Sequence, residues 1–105
     1  MAIVEVMPGV CGLPTRIVAL ADDMLLVSLE ITSECPHIKH MAEKLTELSA
    51  LRELRRPIGE TTPYQLAGQC KAHAACPVPS AILKAMEVAA GLALPADVTI
   101  RICNG

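Results

Sequence analysis

From Leu25 to Thr32 the apolar side chains fall at every second position, with Leu25, Val27, Leu29 and Ile31 alternating with Leu26, Ser28, Glu30 and Thr32. A strand with that pattern keeps one face against a core and leaves the other wetter. From Ile38 the spacing changes. Ile38, Met41, Ala42, Leu45 and Leu48 recur at three- and four-residue steps, and Lys39, Glu43, Lys44 and Glu47 take the other faces. That is the period of an amphipathic helix. The switch falls across Ser33-Glu34-Cys35-Pro36, where Pro36 suits a first helical position because no partner is needed there for an N–H. A half-buried strand running straight into an amphipathic helix calls for a sheet with helices laid on one face.

The remaining segments extend this pattern. Ile3 to Met7 reads as a strand ended by Pro8-Gly9, and Thr15 to Leu20 as a second, closed by Ala21-Asp22-Asp23. Met24 to Thr32 is the third. Their short connections predict an antiparallel meander. Arg52, Glu53, Arg55 and Arg56 read as a solvated helix end before Pro57-Ile58-Gly59. Thr62-Pro63-Tyr64-Gln65 has capping-box spacing for a short helix reaching Cys70. Ile82, Ala85, Met86 and Ala89 form the apolar stripe of a helix from Ser80 to Ala90, with Gly91 as the residue that ends it. Asp97 to Cys103, with Val98, Ile100 and Ile102 in phase, predicts a last strand. The expected fold class is α+β: a three-stranded antiparallel meander plus a C-terminal strand, with two or three helices packed on one face, in a single domain over 1–105.

Composition narrows the function. With 52% apolar and 19% charged residues the chain is not a disordered one. A net charge of −2 with scattered Lys and Arg argues against nucleic acid as a partner, and Tyr64 as the sole aromatic removes base-stacking platforms. No apolar run reaches the roughly 18–20 residues that span a bilayer, so no membrane partner is expected. Met1-Ala2-Ile3-Val4-Glu5 has no basic stretch of a secretory signal, which leads to the expectation of a cytoplasmic, reducing location. Five cysteines there point to metal binding, thiol chemistry or burial rather than a closed disulfide framework.

Three of the cysteines stand outside the periodic apolar stripes. Cys11 follows the first strand beside Gly12, while Cys35 and Cys76 each precede a proline at a helix start. Unpaired N–H groups and the helix dipole at such positions favour thiolates. Soft metals take three or four ligands of this type. Cys70-x-x-His73-x-x-Cys76 and Cys35-Pro36-His37 add Cys70, His73 and His37 to the candidate ligand set. The alternative for each is packing, since free cysteine behaves as a small buried hydrophobe. That reading is preferred for Cys103 and is on a par with ligation for Cys70. His40 reads as solvated, and the methionines as core filling. Asp22, Asp23 and Glu30 make no acid–base pair, no P-loop or GxGxxG is present, and Ser80 has no His–Asp partner. A conventional hydrolase or nucleotide enzyme is not expected.

Pro8-Gly9-Val10-Cys11-Gly12, Ser33-Glu34-Cys35-Pro36-His37 and the stretch from Ala75-Cys76-Pro77 to Ala85 resemble a small uncharacterised family of anaerobic bacteria and archaea. The chain also resembles, more distantly, the U-type iron–sulfur cluster scaffold proteins. These too place Cys-Gly after the first strand of a meander, a second cysteine between the third strand and a helix, and a third at the start of a later helix. The resemblance implies that Cys11, Cys35 and Cys76 hold an iron–sulfur cluster or zinc, with His73 as a fourth ligand and a cluster donor or acceptor protein as partner. Leu13 stands where the scaffolds carry Asp, Pro36 where they carry Gly, and Ala75 where they carry His. The scaffolds' leading helix is missing here.

The leading expectation is therefore a small metal- or cluster-binding protein. A metal-free redox or sulfur-carrying thiol protein, and an interaction module with buried cysteines, are the alternatives. A mean hydropathy of +0.45 adds the expectation of a homodimer that covers apolar surface.

Overall fold

The computed structural model describes every residue from Met1 to Gly105. Strands β1 (Ala2–Val6), β2 (Thr15–Ala21) and β3 (Leu26–Ser33) form the meander, all antiparallel. Val6 lies opposite Thr15 and Thr15 opposite Ser33, so the β1–β2 loop and the exit from β3 share one end of the sheet. At the other end Asp22 closes the β2–β3 turn, its carboxylate accepting from the amides of Met24 and Leu26 at 2.8 and 3.0 Å. That turn holds Leu25 at a left-handed φ of 61°, which is why β3 starts at Leu26 rather than Met24.

Helix α1 (Pro36–Lys44) follows, then a three-residue strand β4 (Glu47–Ser49), which pairs with β3 and runs into the single turn of α2 (Ala50–Glu53). A 3-10 turn at Ile58–Glu60 leads to α3 (Thr62–Gln69) and α4 (Val78–Ala89). The sheet order is β1-β2-β3-β4. Helix α4 packs on β1 and β2, α1 packs on β3, and α3 bridges α1 and α4. Between the layers Ile17, Ala19, Val27 and Leu29 of the sheet meet Ile38, Met41 and Leu45 of the α1 region and Val78, Ile82, Ala85 and Met86 of α4. Met41 and Met86 are fully buried, where flexible thioethers fill a core that has no aromatic rings.

The class is α+β with the expected meander, but the fourth strand is Glu47–Ser49 and not the segment 97–103. That segment alternates correctly for a strand, yet it meets no partner in its own chain and is exposed throughout. Two further expectations change. Leu48 leaves the α1 stripe, because the helix ends at Lys44 and the chain turns to pair with β3. Glu53 is buried rather than solvated. Its carboxylate accepts from the amide and the hydroxyl of Thr62, both at 2.7 Å, and so caps α3 from outside the helix. Gln65 therefore has no capping role, and Thr61 rather than Thr62 is the residue that precedes the helix. No helix is long and apolar enough to cross a membrane.

Candidate functional site

The end of the sheet shared by Val6, Thr15 and Ser33 is where the cysteine segments gather. The 7–14 loop carries Cys11 on an exposed turn, closed by the Gly12 amide donating to the Gly9 carbonyl at 2.9 Å. Gly9 and Gly12 take φ of 90° and 64°, conformations that glycine adopts without the Cβ clash. Cys35 lies across the sheet end from this loop as the residue preceding α1, extended at φ −77° and ψ 123° and half-buried. Pro36 begins the helix as expected, and the Cys35 carbonyl accepts from the Lys39 amide at 2.9 Å.

Ser33 fixes the backbone of Cys35. Its hydroxyl oxygen accepts from the Cys35 amide at 3.1 Å and from the buried Thr15 hydroxyl at 2.7 Å. One buried oxygen thus ties β2, β3 and the start of α1 together beneath the cysteine. Ser33 and Thr15 were not singled out in the sequence, although a signal was present: Ser33 continues the inward phase of Val27, Leu29 and Ile31. A hydroxyl at a core-facing strand position needs a partner.

Cys76 is half-buried just ahead of α4, its amide donating to the His73 carbonyl at 3.0 Å. Burial pushes its thiol above the ordinary value, the Val78 amide pulls it down, and charge on Cys35 and Cys11 pushes it up again; the net shift is upward. The last and smallest of these causes, the charge on Cys35 and on Cys11, comes from two other segments of the chain. The expectation that a helix-start position would favour the Cys76 thiolate is overturned, because desolvation outweighs the single backbone donor. The unfolded chain then loses this proton at lower pH than the folded one. Stability should be unaffected below the ordinary thiol value of 9.0 and fall as pH rises above it, until the folded thiol ionises too. Denaturant titrations across that range check this, and Cys76→Ala should remove Cys76's share of the loss.

The remaining candidates divide. Cys70 ends α3 with its side chain in the core. Its carbonyl lies 3.0 Å from His37 Nδ1. A carbonyl only accepts, so Nδ1 carries the proton, and the neutral ring presents Nε2 as an acceptor. This orientation is the one in which imidazoles serve as ligands. His73 is exposed, with its ring centroid 6.4 Å from that of His37. Cys103 is exposed on the C-terminal segment rather than packed. As the side chains stand, no three of His, Cys, Asp and Glu form a group that could hold a metal ion. The candidate residues are two half-buried thiols, Cys35 and Cys76, the exposed Cys11 on a loop with glycines at positive φ, and His37 in the first turn of α1.

The chain belongs to a family of unknown function, DUF6951, whose model matches residues 2–102. No curated protein and no solved structure matches it.

Proposed function

We propose that this member of the family binds a soft metal ion or an iron–sulfur cluster through the thiolates of Cys11, Cys35 and Cys76. The observation that supports the reading is that Cys11 and Cys35, from distant parts of the chain, flank one end of the sheet and that their charge bears on the half-buried Cys76. Like charges brought together in a half-buried place oppose one another's ionisation, and a bound cation reverses that opposition. Three sulfur donors suit zinc or iron–sulfur clusters by softness. The same three placements on a meander-and-helix topology are the ones in which the chain resembles U-type scaffold proteins. Ligation brings the sulfurs closer than they now stand, and the largely exposed 7–14 loop, with Gly9 and Gly12 at positive φ, is where the chain would move. His37 is the oriented candidate for a fourth position, ahead of His73; Cys70 is engaged in the core. A site of this kind belongs in a reducing, cytoplasmic setting and exchanges its cargo with a donor or acceptor protein.

A metal-free nucleophile is the weaker reading, because burial favours the neutral thiol at Cys76. The test is anaerobic purification with metal and sulfide analysis. Near-stoichiometric zinc, or iron with sulfide, is expected, and Cys35→Ser and Cys76→Ser should each lose it. Protein isolated under metal-replete anaerobic conditions without metal, or a Cys35→Ser variant that keeps it, would refute the proposal.

A further inference from the structure

Beyond Ala93 the chain is exposed to its end and makes no hydrogen bond to the rest of the fold. Val98, Ile100 and Ile102 are 60%, 73% and 90% exposed, although they repeat with the period of a half-buried strand. At the far side of the sheet β1 is an edge, pairing with β2 alone. An edge strand presents a row of free N–H and C=O groups, which an extended segment of matching pattern can pair with. We propose that Val98–Ile102 of one copy adds as a fifth strand to the β1 edge of a second copy, and that the two copies exchange these segments reciprocally.

Length, phase and charge choose β1. The five residues Ala2–Val6 match the five of Val98–Ile102, whereas the opposite edge, β4, has three residues and runs straight into α2. Within β1 the side chains of Ala2, Val4 and Val6 face the helices, Val4 remaining half-buried, while Ile3 and Glu5 face outward. Setting Val98, Ile100 and Ile102 beside Ala2, Val4 and Val6 in parallel register continues the covered apolar face. The same register puts Thr99 beside Ile3 and Arg101 beside Glu5, opposite charges on the open face. Glu5 already has Arg16 as its cross-strand neighbour on β2, so its carboxylate would lie between two guanidinium groups. Pro95 restricts the chain between α4 and this strand, as a short stiff hinge does in strand exchange. Reciprocal exchange is isologous and closes at two copies.

Residues 97–103 are exposed and form no hydrogen bond within their own chain, so substitutions there leave the buried core of the monomer untouched. Light scattering on size-exclusion chromatography, with reductant present to keep the exposed Cys11 and Cys103 from cross-linking, should give twice the 11.1 kDa of one chain. Ile100→Pro and Ile100→Lys should each return the mass to a single chain with an unchanged helical circular dichroism signal. Amide exchange should show Ala2–Val6 and Val98–Ile102 protected together in the full chain, with Val98–Ile102 losing protection in Ile100→Pro. A single-chain mass at every concentration overturns the proposal, as does a dimer indifferent to Ile100→Pro. Protected Val98–Ile102 amides in a species of single-chain mass would also overturn it, by placing the strand on its own sheet.

Discussion

Glu53→Ala should lower the unfolding free energy by about 3 kcal/mol, since the carboxylate makes two part-buried hydrogen bonds worth roughly 1.5–3 kcal/mol each and such losses are not additive. Against a total of about 5–15 kcal/mol for a single domain, that is a large fraction, equivalent to roughly 10–20 °C in Tm. The expectation rests on geometry. Glu53 is 4% exposed, and its two oxygens divide between the Thr62 amide and the Thr62 hydroxyl, both at 2.7 Å. Thr61, the residue preceding α3, makes no side-chain cap of its own, so the carboxylate is what satisfies the first amide of that helix. Arg56 adds little. Its guanidinium lies 3.6 Å from Glu53 with a third of its side chain exposed, and a pair of that kind is worth about 0–1 kcal/mol. Arg56→Ala should accordingly cost well under half of what Glu53→Ala costs. Thermal and denaturant unfolding of the two variants decide the matter; a Glu53→Ala loss below 1 kcal/mol would show that water replaces the carboxylate without penalty.

The second large effect concerns protons displaced by metal. Thiols bind metals as thiolates, so a ligand that holds its proton at neutral pH must release it on binding. Burial and the neighbouring cysteines keep Cys76 in that state well above neutrality. Zinc titrations followed by calorimetry in buffers of different ionisation enthalpy count the released protons. Cys76→Ala should release one proton fewer than the parent chain at pH 7, and zinc affinity should fall by at least about a hundredfold, or roughly 2.7 kcal/mol. Affinity in the parent should also climb with pH throughout the neutral range, about tenfold per pH unit for each ligand proton displaced. An unchanged proton count in Cys76→Ala would remove Cys76 from the ligand set.

Much of the scaffold was legible because its elements are encoded by local periodicity. Val27 and Leu29 with the half-buried Ile31, the Ile38–Met41–Leu45 stripe and the Ile82–Ala85–Met86 stripe all fall on the core-facing sides they predict. Pro36 begins its helix for the local reason that it needs no N–H partner. What escaped the sequence involves partners distant along the chain. Glu53 sits in a run of charges that reads as solvated until Thr62 is folded over it. Ser33 lies at the switch from strand to helix, and its role shows only once Thr15 is set opposite it. The segment 97–103 has the alternation of a strand, but pairing requires an edge, and periodicity carries no information about which edge is free.

The sequence by itself determined the three-stranded meander, the helices α1, α3 and α4 that follow it, and the placing of Cys11, Cys35 and Cys76 outside the apolar stripes, because side-chain period and turn chemistry act over a few residues. Only the tertiary structure decided that charge on Cys35 and Cys11 bears on Cys76, that desolvation raises Cys76 against its helix-start position, and that β4 rather than the C-terminal segment completes the sheet. The reason is physical: burial, charge–charge interaction and strand pairing depend on distances through space, and those exist only once the helices have closed over the sheet.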